Sequence, residues 1–306
     1  MTPATWRRSM GRESTGRRGA ACALGLLLST ALVAGCSGVP VTPAGPSPSG
    51  TGPSSASPSA SPSESPPPAH EASVELFFAI SQPASIDLIG EVRTIEYDGA
   101  LLEGVIRTIT EGEVRGADPD YDNLWNDVPL HGLSVEGDVL VVDLGSRLSG
   151  VGAEAEQVAI DQLVWTATGI DPSIRALSFT VDGAPVDTLA GHIDARGEFV
   201  RGSEAETLSP VQIDSPAEGE TVVGAIVAQG RACVFEATFA WELISSGTVV
   251  DQGSGMSAES CPVRSPWTVE LGARPPGEYT LVVTEISMKD GSAASVDTAT
   301  FTVSGR

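Results

Sequence analysis

Residues 37–71 contain ten prolines and ten serines and almost no large apolar side chain. Such a stretch cannot bury enough surface to offset an ordering cost of roughly 1–2 kcal/mol per residue, so no packed core is predicted there. As a tether it reaches roughly 30 Å as a flexible coil and about 110 Å if fully polyproline-like. The tract therefore divides the chain. Residues 1–35 precede it, 36–71 form the tether with the cysteine at its head, and two segments with folding potential follow, 72–207 and 208–306.

The first 35 residues carry five arginines and one glutamate, and an apolar run over residues 20–34. That run is shorter than the about 20 residues a membrane-spanning helix needs, and its basic start and small-residue end are those of an export signal. Val33-Ala34-Gly35-Cys36 resembles a bacterial lipobox, which implies cleavage before Cys36 and lipidation of Cys36; an ordinary secretory signal is the alternative. Several acyl chains, at about 0.8 kcal/mol per buried methylene, hold a protein on a bilayer where one does not. The expected location is the extracytoplasmic face of the cell membrane, with the membrane itself a partner through the anchor.

Removing that signal from the 17 basic and 40 acidic residues of the chain leaves 12 and 39, a net charge of -27. Nucleic acid and anionic lipid surfaces both need clustered Lys and Arg, so neither is an expected partner. Of four cysteines, Cys22 leaves with the signal and Cys36 takes the lipid. Cys233 and Cys261 remain in an exported domain, which reads as a disulfide, with two separate buried thiols as the alternative.

Hydrophobic period switches repeatedly over residues 73–181. Residues 74–80 and 86–95 read as strands, and apolar positions at 100, 101, 102, 105, 106 and 109 predict a helix over 99–111 ended by Gly112. Residues 133–144 (LSVEGDVLVVDL) are two strands about Glu136-Gly137-Asp138. A second helix is predicted over 153–168, with Glu154 and Glu156 near its positive end and Gly169 just past it, followed by a strand over 174–181. The sum is an α+β domain with helices packed on one sheet face. From about residue 207 the pattern becomes short alternating strands between Gly, Pro and Ser turns: 211–213, 221–227, 233–243, 267–271, 279–286 and 294–303. That predicts an all-β sandwich of the immunoglobulin-like kind.

The order strand, strand, helix, Pro129-containing loop, LSVEGDVLVVDL, helix with LVWTATG, then IRALSFTVDG resembles the GerM-type (GerMN) domain of sporulation and spore-germination proteins, over residues 72–190. IDSP at 213–216, VFEATF at 234–239, Ser265-Pro266-Trp267 and MKDG at 288–291 resemble the immunoglobulin-like domain of bacterial spore germination. The resemblance implies an envelope protein that binds or scaffolds, with no catalytic residues to carry over and no cofactor. It implies a cell-wall polymer or another envelope protein as partner. An accessory lipoprotein serving a membrane sensor and a cell-wall hydrolase are the alternatives.

Of three histidines, His70 falls in the tether, and His131 and His192 fall near loops; no GxSxG, HExxH or P-loop is present. The aromatics Phe235, Phe239, Trp241, Trp267 and Tyr279 are read as sandwich core, with a sugar- or peptide-binding surface as the other use. The acidic loop DPDYDNLWND (118–127) places Asp118, Asp120 and Asp122 at positions 1, 3 and 5 of an EF-hand. Asn123 and Pro129 then stand where glycine and glutamate are required, so the strict pattern fails. Those three aspartates remain candidates for a looser calcium site, against a solvated loop whose aspartates cap turns. Trp125, outside any periodic run, is read as an edge plug or a contact surface.

Overall fold

The computed structural model describes residues 70–305. The export signal, the lipidation site Cys36 and nearly all of the Pro/Ser tract lie outside the described residues. Strands β1 (His70–Ser81) and β2 (Ile86–Tyr97) pair antiparallel from Ser81 opposite Ile86 to His70 opposite Tyr97. His70 and Glu71, expected in the tether, therefore begin the first strand. Pairing with β2 supplies the backbone partners that a Pro/Ser tract lacks, and the His70 and Tyr97 rings lie 5.5 Å apart. The unbroken apolar run 76–80 is explained by burial on both faces: Leu76, Phe78 and Ile80 enter the main core, while Phe77 and Ala79 meet Val158, Trp165 and Leu208.

Helix α1 (Leu101–Thr110) stops at Gly112, whose φ of 73° suits glycine best. There the Gly112 N–H donates to Ile109 O and the Glu113 N–H to Thr108 O, the paired bonds of a Schellman ending. The two-residue β3 (Tyr121–Asp122) pairs with Ala79 and Ile80 of β1. β4 (Leu130–Glu136) and β5 (Val139–Leu144) form the predicted hairpin, and β5 then runs parallel to β6 (Ala176–Val181). Parallel neighbours need a crossover, and α2 (Ala153–Ile170) supplies it. The short β7 (Ala184–Pro185) and β8 (Phe199–Val200) flank β6, and a one-turn α3 (Glu204–Thr207) leads out.

Two expectations about α2 are corrected. It continues through Gly169 to Ile170 and stops because Asp171 accepts from the Ser173 N–H and Oγ, turning the chain. Its strands also do not make one sheet with helices on one face. They form β2-β1-β3 and β4-β5-β6-β7, and α2 packs against β1 and β2 on one side and β6 and β8 on the other. The run from Val158 to Ala167 is buried except at the half-buried Asp161, so α2 is enclosed by both sheets over its middle turns.

The second domain is the expected sandwich. Strands β9 (Val211–Ser215), β11 (Ala225–Ala232) and β14 (Ser265–Ala273) form one sheet in the order β14-β11-β9. β10 (Thr221–Val223), β12 (Thr238–Ser245), β13 (Thr248–Met256), β15 (Gly277–Ile286) and β16 (Ala293–Ser304) form the other, ordered β10-β16-β15-β12-β13. The single strand expected over 221–227 is cut at Gly224, φ 93°, where the chain leaves one sheet for the other. The strand expected over 233–243 begins only at Thr238, after a tight turn at Phe235–Ala237.

β13 is absent from the sequence reading because its residues, TVVDQGSGM, do not alternate. The tertiary pairing explains them. Gly255 faces Phe239 and Gly253 faces Trp241 across the ladder, and a Cβ on either glycine would collide with the ring opposite it. Phe239, Trp241, Trp267 and Tyr279 are all sandwich core, and the Cys233–Cys261 disulfide is formed. No helix among the described residues is long and apolar enough to cross a membrane.

Candidate functional site

The acidic loop turns inward, not outward. Trp125 is 1% exposed, and its indole N–H donates to Ala159 O of α2 at 2.8 Å. Asn123 fixes the turn by donating to Ile109 O (2.9 Å) and accepting from the Trp125 N–H and the Gln162 amide (both 3.1 Å). The Asp118 carboxylate accepts from the Asp120 N–H at 2.8 Å, a local turn bond. Asp120 accepts from Thr298 Oγ1 of β16 at 2.9 Å, while Asp122 is exposed. The three calcium candidates thus serve separate purposes. Among the described residues no group of three or more His, Cys, Asp or Glu side chains is placed to hold a metal ion.

What the loop does place is Tyr121, at the seam between the two domains. Its hydroxyl donates at 3.0 Å to Asp297 of β16, a residue 1% exposed. Asp297 also accepts from the Ile213 N–H at 2.6 Å and the Thr298 N–H at 3.0 Å. Burial outweighs those three donors and pushes the Asp297 carboxyl up to about 8. Asp118, 4% exposed, is raised to about 7 by burial and then by the charges of Asp120, Glu218 and Glu91. Burial and the neighbouring Asp297 raise Tyr121 in turn.

Further polar ties cross the same seam. Gln82, in the β1–β2 turn, accepts from the Val296 N–H (2.8 Å) and donates to Val296 O (3.0 Å), imitating one rung of a strand ladder. Gln212 donates to Gly90 O at 2.7 Å, and the Ser209 N–H donates to Leu88 O at 2.7 Å. Arg231 pairs with Glu75 at 2.9 Å and with Asp214 at 3.1 Å. Within the second domain Arg264 braces the seam residues by donating to Ser209 O and to Gln212 Oε1, and burial brings its guanidinium down to about 10, which leaves it charged at neutral pH. Beside these ties opens a cleft of about 520 Å³, lined by Glu75, Glu91, Asp118, Glu218, Arg93 and Arg231 among others. Chemically it is a mixed-charge cleft with an acidic excess, and the buried Asp118 is the lining carboxyl raised to about 7.

Residues 76–187 match the family model described as sporulation and spore germination, and residues 210–292 match that of the immunoglobulin-like domain of bacterial spore germination. The chain carries a GerM-type domain followed by a spore-germination immunoglobulin-like domain. Solved structures similar in part include the tandem GerMN domains of the sporulation protein GerM from Bacillus subtilis, at 12% identity, 43% of this chain, 46% of that chain and a TM-score of 0.34. A putative lipoprotein from Clostridium perfringens is 23% identical over 42% of this chain and 87% of its own, with a TM-score of 0.28. CopC from Methylosinus trichosporium OB3b is 19% identical over 30% of this chain and 92% of its own, with a TM-score of 0.24. The chain thus spans less than half the length of the tandem GerMN structure. No curated protein matches it.

In the GerM-type domain the two histidines stand apart. His131 Nδ1 is 3.5 Å from Asp182 Oδ1, with both side chains about half exposed or more. The His192 ring meets Val151 O at 3.2 Å, while its backbone N–H donates to Glu156 at 2.8 Å. Glu156 does more than place an acid at the start of α2. It is fully buried and also accepts from the Ala190 and Ile193 N–H groups, tying residues 190–193 to α2. In the immunoglobulin-like domain Asp297 was missed, yet it carries a readable signal: it shares the inward register of β16 with Ala299, Phe301 and Val303. An acid on an inward position of an alternating strand requires partners. Nothing in the sequence says that one of them is Tyr121.

Proposed function

We propose that this is a lipid-anchored, non-catalytic envelope protein whose two domains act as one recognition body held out from the membrane. The observation that carries the reading is the seam: one buried carboxyl, Asp297, is shared by Tyr121 of the GerM-type domain and Ile213 of the immunoglobulin-like domain, with Gln82, Gln212 and Arg231 reinforcing it. Buried polar ties of this kind fix orientation, because breaking one leaves a desolvated group unpaired. A scaffold that presents surfaces from both domains to a wall polymer or an envelope protein needs such a fixed angle. The lipobox-like Val33-Ala34-Gly35-Cys36 and the Pro/Ser-rich sequence of residues 37–69 support display on the outer face of the membrane.

The test is fractionation combined with pull-down. Membrane-bound protein should move to the soluble exported fraction in Cys36→Ala, and the wild-type protein should sediment with purified peptidoglycan. Retention of the variant on the membrane sinks the anchor. Sedimentation no greater than that of an unrelated acidic protein removes the wall polymer as ligand and leaves an envelope protein.

A further inference from the structure

Among the sandwich aromatics one does not enter the core. Phe235 is 61% exposed, although the sequence groups it with Phe239 and Trp241. The backbone explains this placement. Glu236 and Ala237 both take left-handed φ angles, 54° and 58°, which turns Val234 and Ala237 inward and Phe235 out. Such angles cost roughly 1–2 kcal/mol per non-glycine residue, so the turn persists only because its surroundings hold it. The Cys233–Cys261 disulfide does so, with Cys261 N–H to Val234 O (3.1 Å) and Ser257 N–H to Ala237 O (2.9 Å).

The displayed ring forms one wall of an apolar notch of about 250 Å³ at the end of β15, whose other apolar walls include Phe239, Ala240, Ile286 and the 73%-exposed Met288. Its rim is acidic. Glu236 and Glu285 line it, Asp87 of β2 faces Glu285, and Glu154 of α2 faces Asp87. Among the described residues none of these four carboxylates lies within ion-pair distance of a basic side chain, and Lys289, next to Met288, pairs with none of them. Burial first, and then the charge of Glu154 on Asp87 and of Asp87 on Glu285, holds both carboxyls above the usual carboxylate range. A greasy notch beside unpaired acids fits an apolar side chain next to a cation. It repels a second copy of this chain, at a net charge of -23, and an anionic bilayer for the same reason.

We propose that this notch docks a protein segment in which an apolar side chain seats between Phe235 and Met288 while a neighbouring Lys or Arg reaches Glu285 and Asp87. The proposal rests on the binding reading above and names the partner's chemistry. It is tested in the full-length protein in its own cells, with Met288 replaced by the photo-crosslinker p-benzoylphenylalanine and the cross-linked peptide sequenced by mass spectrometry. The expected adduct is one partner peptide with an apolar residue within two positions of Lys or Arg, its yield falling about tenfold in Asp87→Asn/Glu285→Gln. That double variant removes repulsion inside the protein and keeps an acceptor oxygen at each position, and an unchanged urea midpoint separates lost yield from unfolding.

An adduct to this chain itself, to lipid or glycan, to a peptide without a base, or no adduct overturns the proposal, as does yield unchanged in the double variant. Membrane fractionation of the same cells separates the two levels. An anchored protein without the adduct overturns the notch alone, whereas loss of membrane association overturns the anchored reading.

Discussion

Asp297→Asn isolates the chemistry of the seam. With its folded-state value near 8, the Asp297 carboxyl is protonated at pH 5, and asparagine is close to an isostere of that form. The amide oxygen keeps the Ile213 N–H, and the amide nitrogen donates to the Tyr121 hydroxyl, which turns to accept; the bond from the Thr298 N–H is lost. The expected cost at pH 5 is about 1 kcal/mol, one neutral hydrogen bond. The sign of the pH effect follows from the raised value. Between about pH 4 and 8 the folded protein holds a proton that the unfolded chain has released, so stability is full at low pH and is lost as pH rises through that window.

From pH 5 to 8 this single group removes roughly 4 kcal/mol, and Asp118, raised to about 7, acts in the same direction. The variant lacks the Asp297 share. It should therefore be slightly less stable than wild type at pH 5 and more stable by about 2–3 kcal/mol at pH 8. Urea unfolding of the mature chain at the two pH values, followed by tryptophan fluorescence, measures the crossing. Equal destabilisation at both pH values refutes the reasoning, because it means that the three donors keep the carboxylate ionised throughout.

Glu156→Ala leaves the Ala190, His192 and Ile193 N–H groups without their acceptor, and should lower stability by about 3 kcal/mol or more, with hydrogen exchange accelerated first at residues 190–193. Cys233→Ser/Cys261→Ser opens a loop with a sequence separation of 28 and should cost roughly 3.5 kcal/mol in chemical denaturation. Calcium titrated calorimetrically into chelator-treated protein should give no binding heat at millimolar concentration, since Asp118, Asp120 and Asp122 do not converge; a saturable isotherm lost in Asp120→Asn would reverse that conclusion.

Local pattern carried most of the architecture. Hydrophobic spacing of three and four placed α1, and Gly112 marked its end because a left-handed position follows the last turn. The hairpin β4–β5, the helix α2 with a strand after it, the sandwich class and the Cys233–Cys261 pair were legible for the same reason: each is set by residues close in sequence or by the few available partners; that β6 returns parallel to β5 was not. β13 was not legible, because its glycines make sense only beneath Phe239 and Trp241 of the neighbouring strand. The acidic loop misled in the opposite way. Its first three aspartates matched the start of a cation loop, yet Tyr121 and Trp125 drive the segment into the core, where Asp118 caps a turn and Asp120 bonds Thr298.

By itself the sequence determined the domain types, the order of the longer elements of the first domain and the excess of acid over base, since composition and period act locally and survive any packing. It also carried the export signal and lipobox pattern as an expectation about where the chain is displayed. Only the tertiary structure decided which acids are buried, which aromatic faces solvent and how the domains join. Burial and pairing are relations between distant residues: Tyr121 and Asp297 stand 176 positions apart and meet at 3.0 Å. Phe235 differs from Phe239 by the two left-handed residues between Phe235 and β12, and no periodicity announces them.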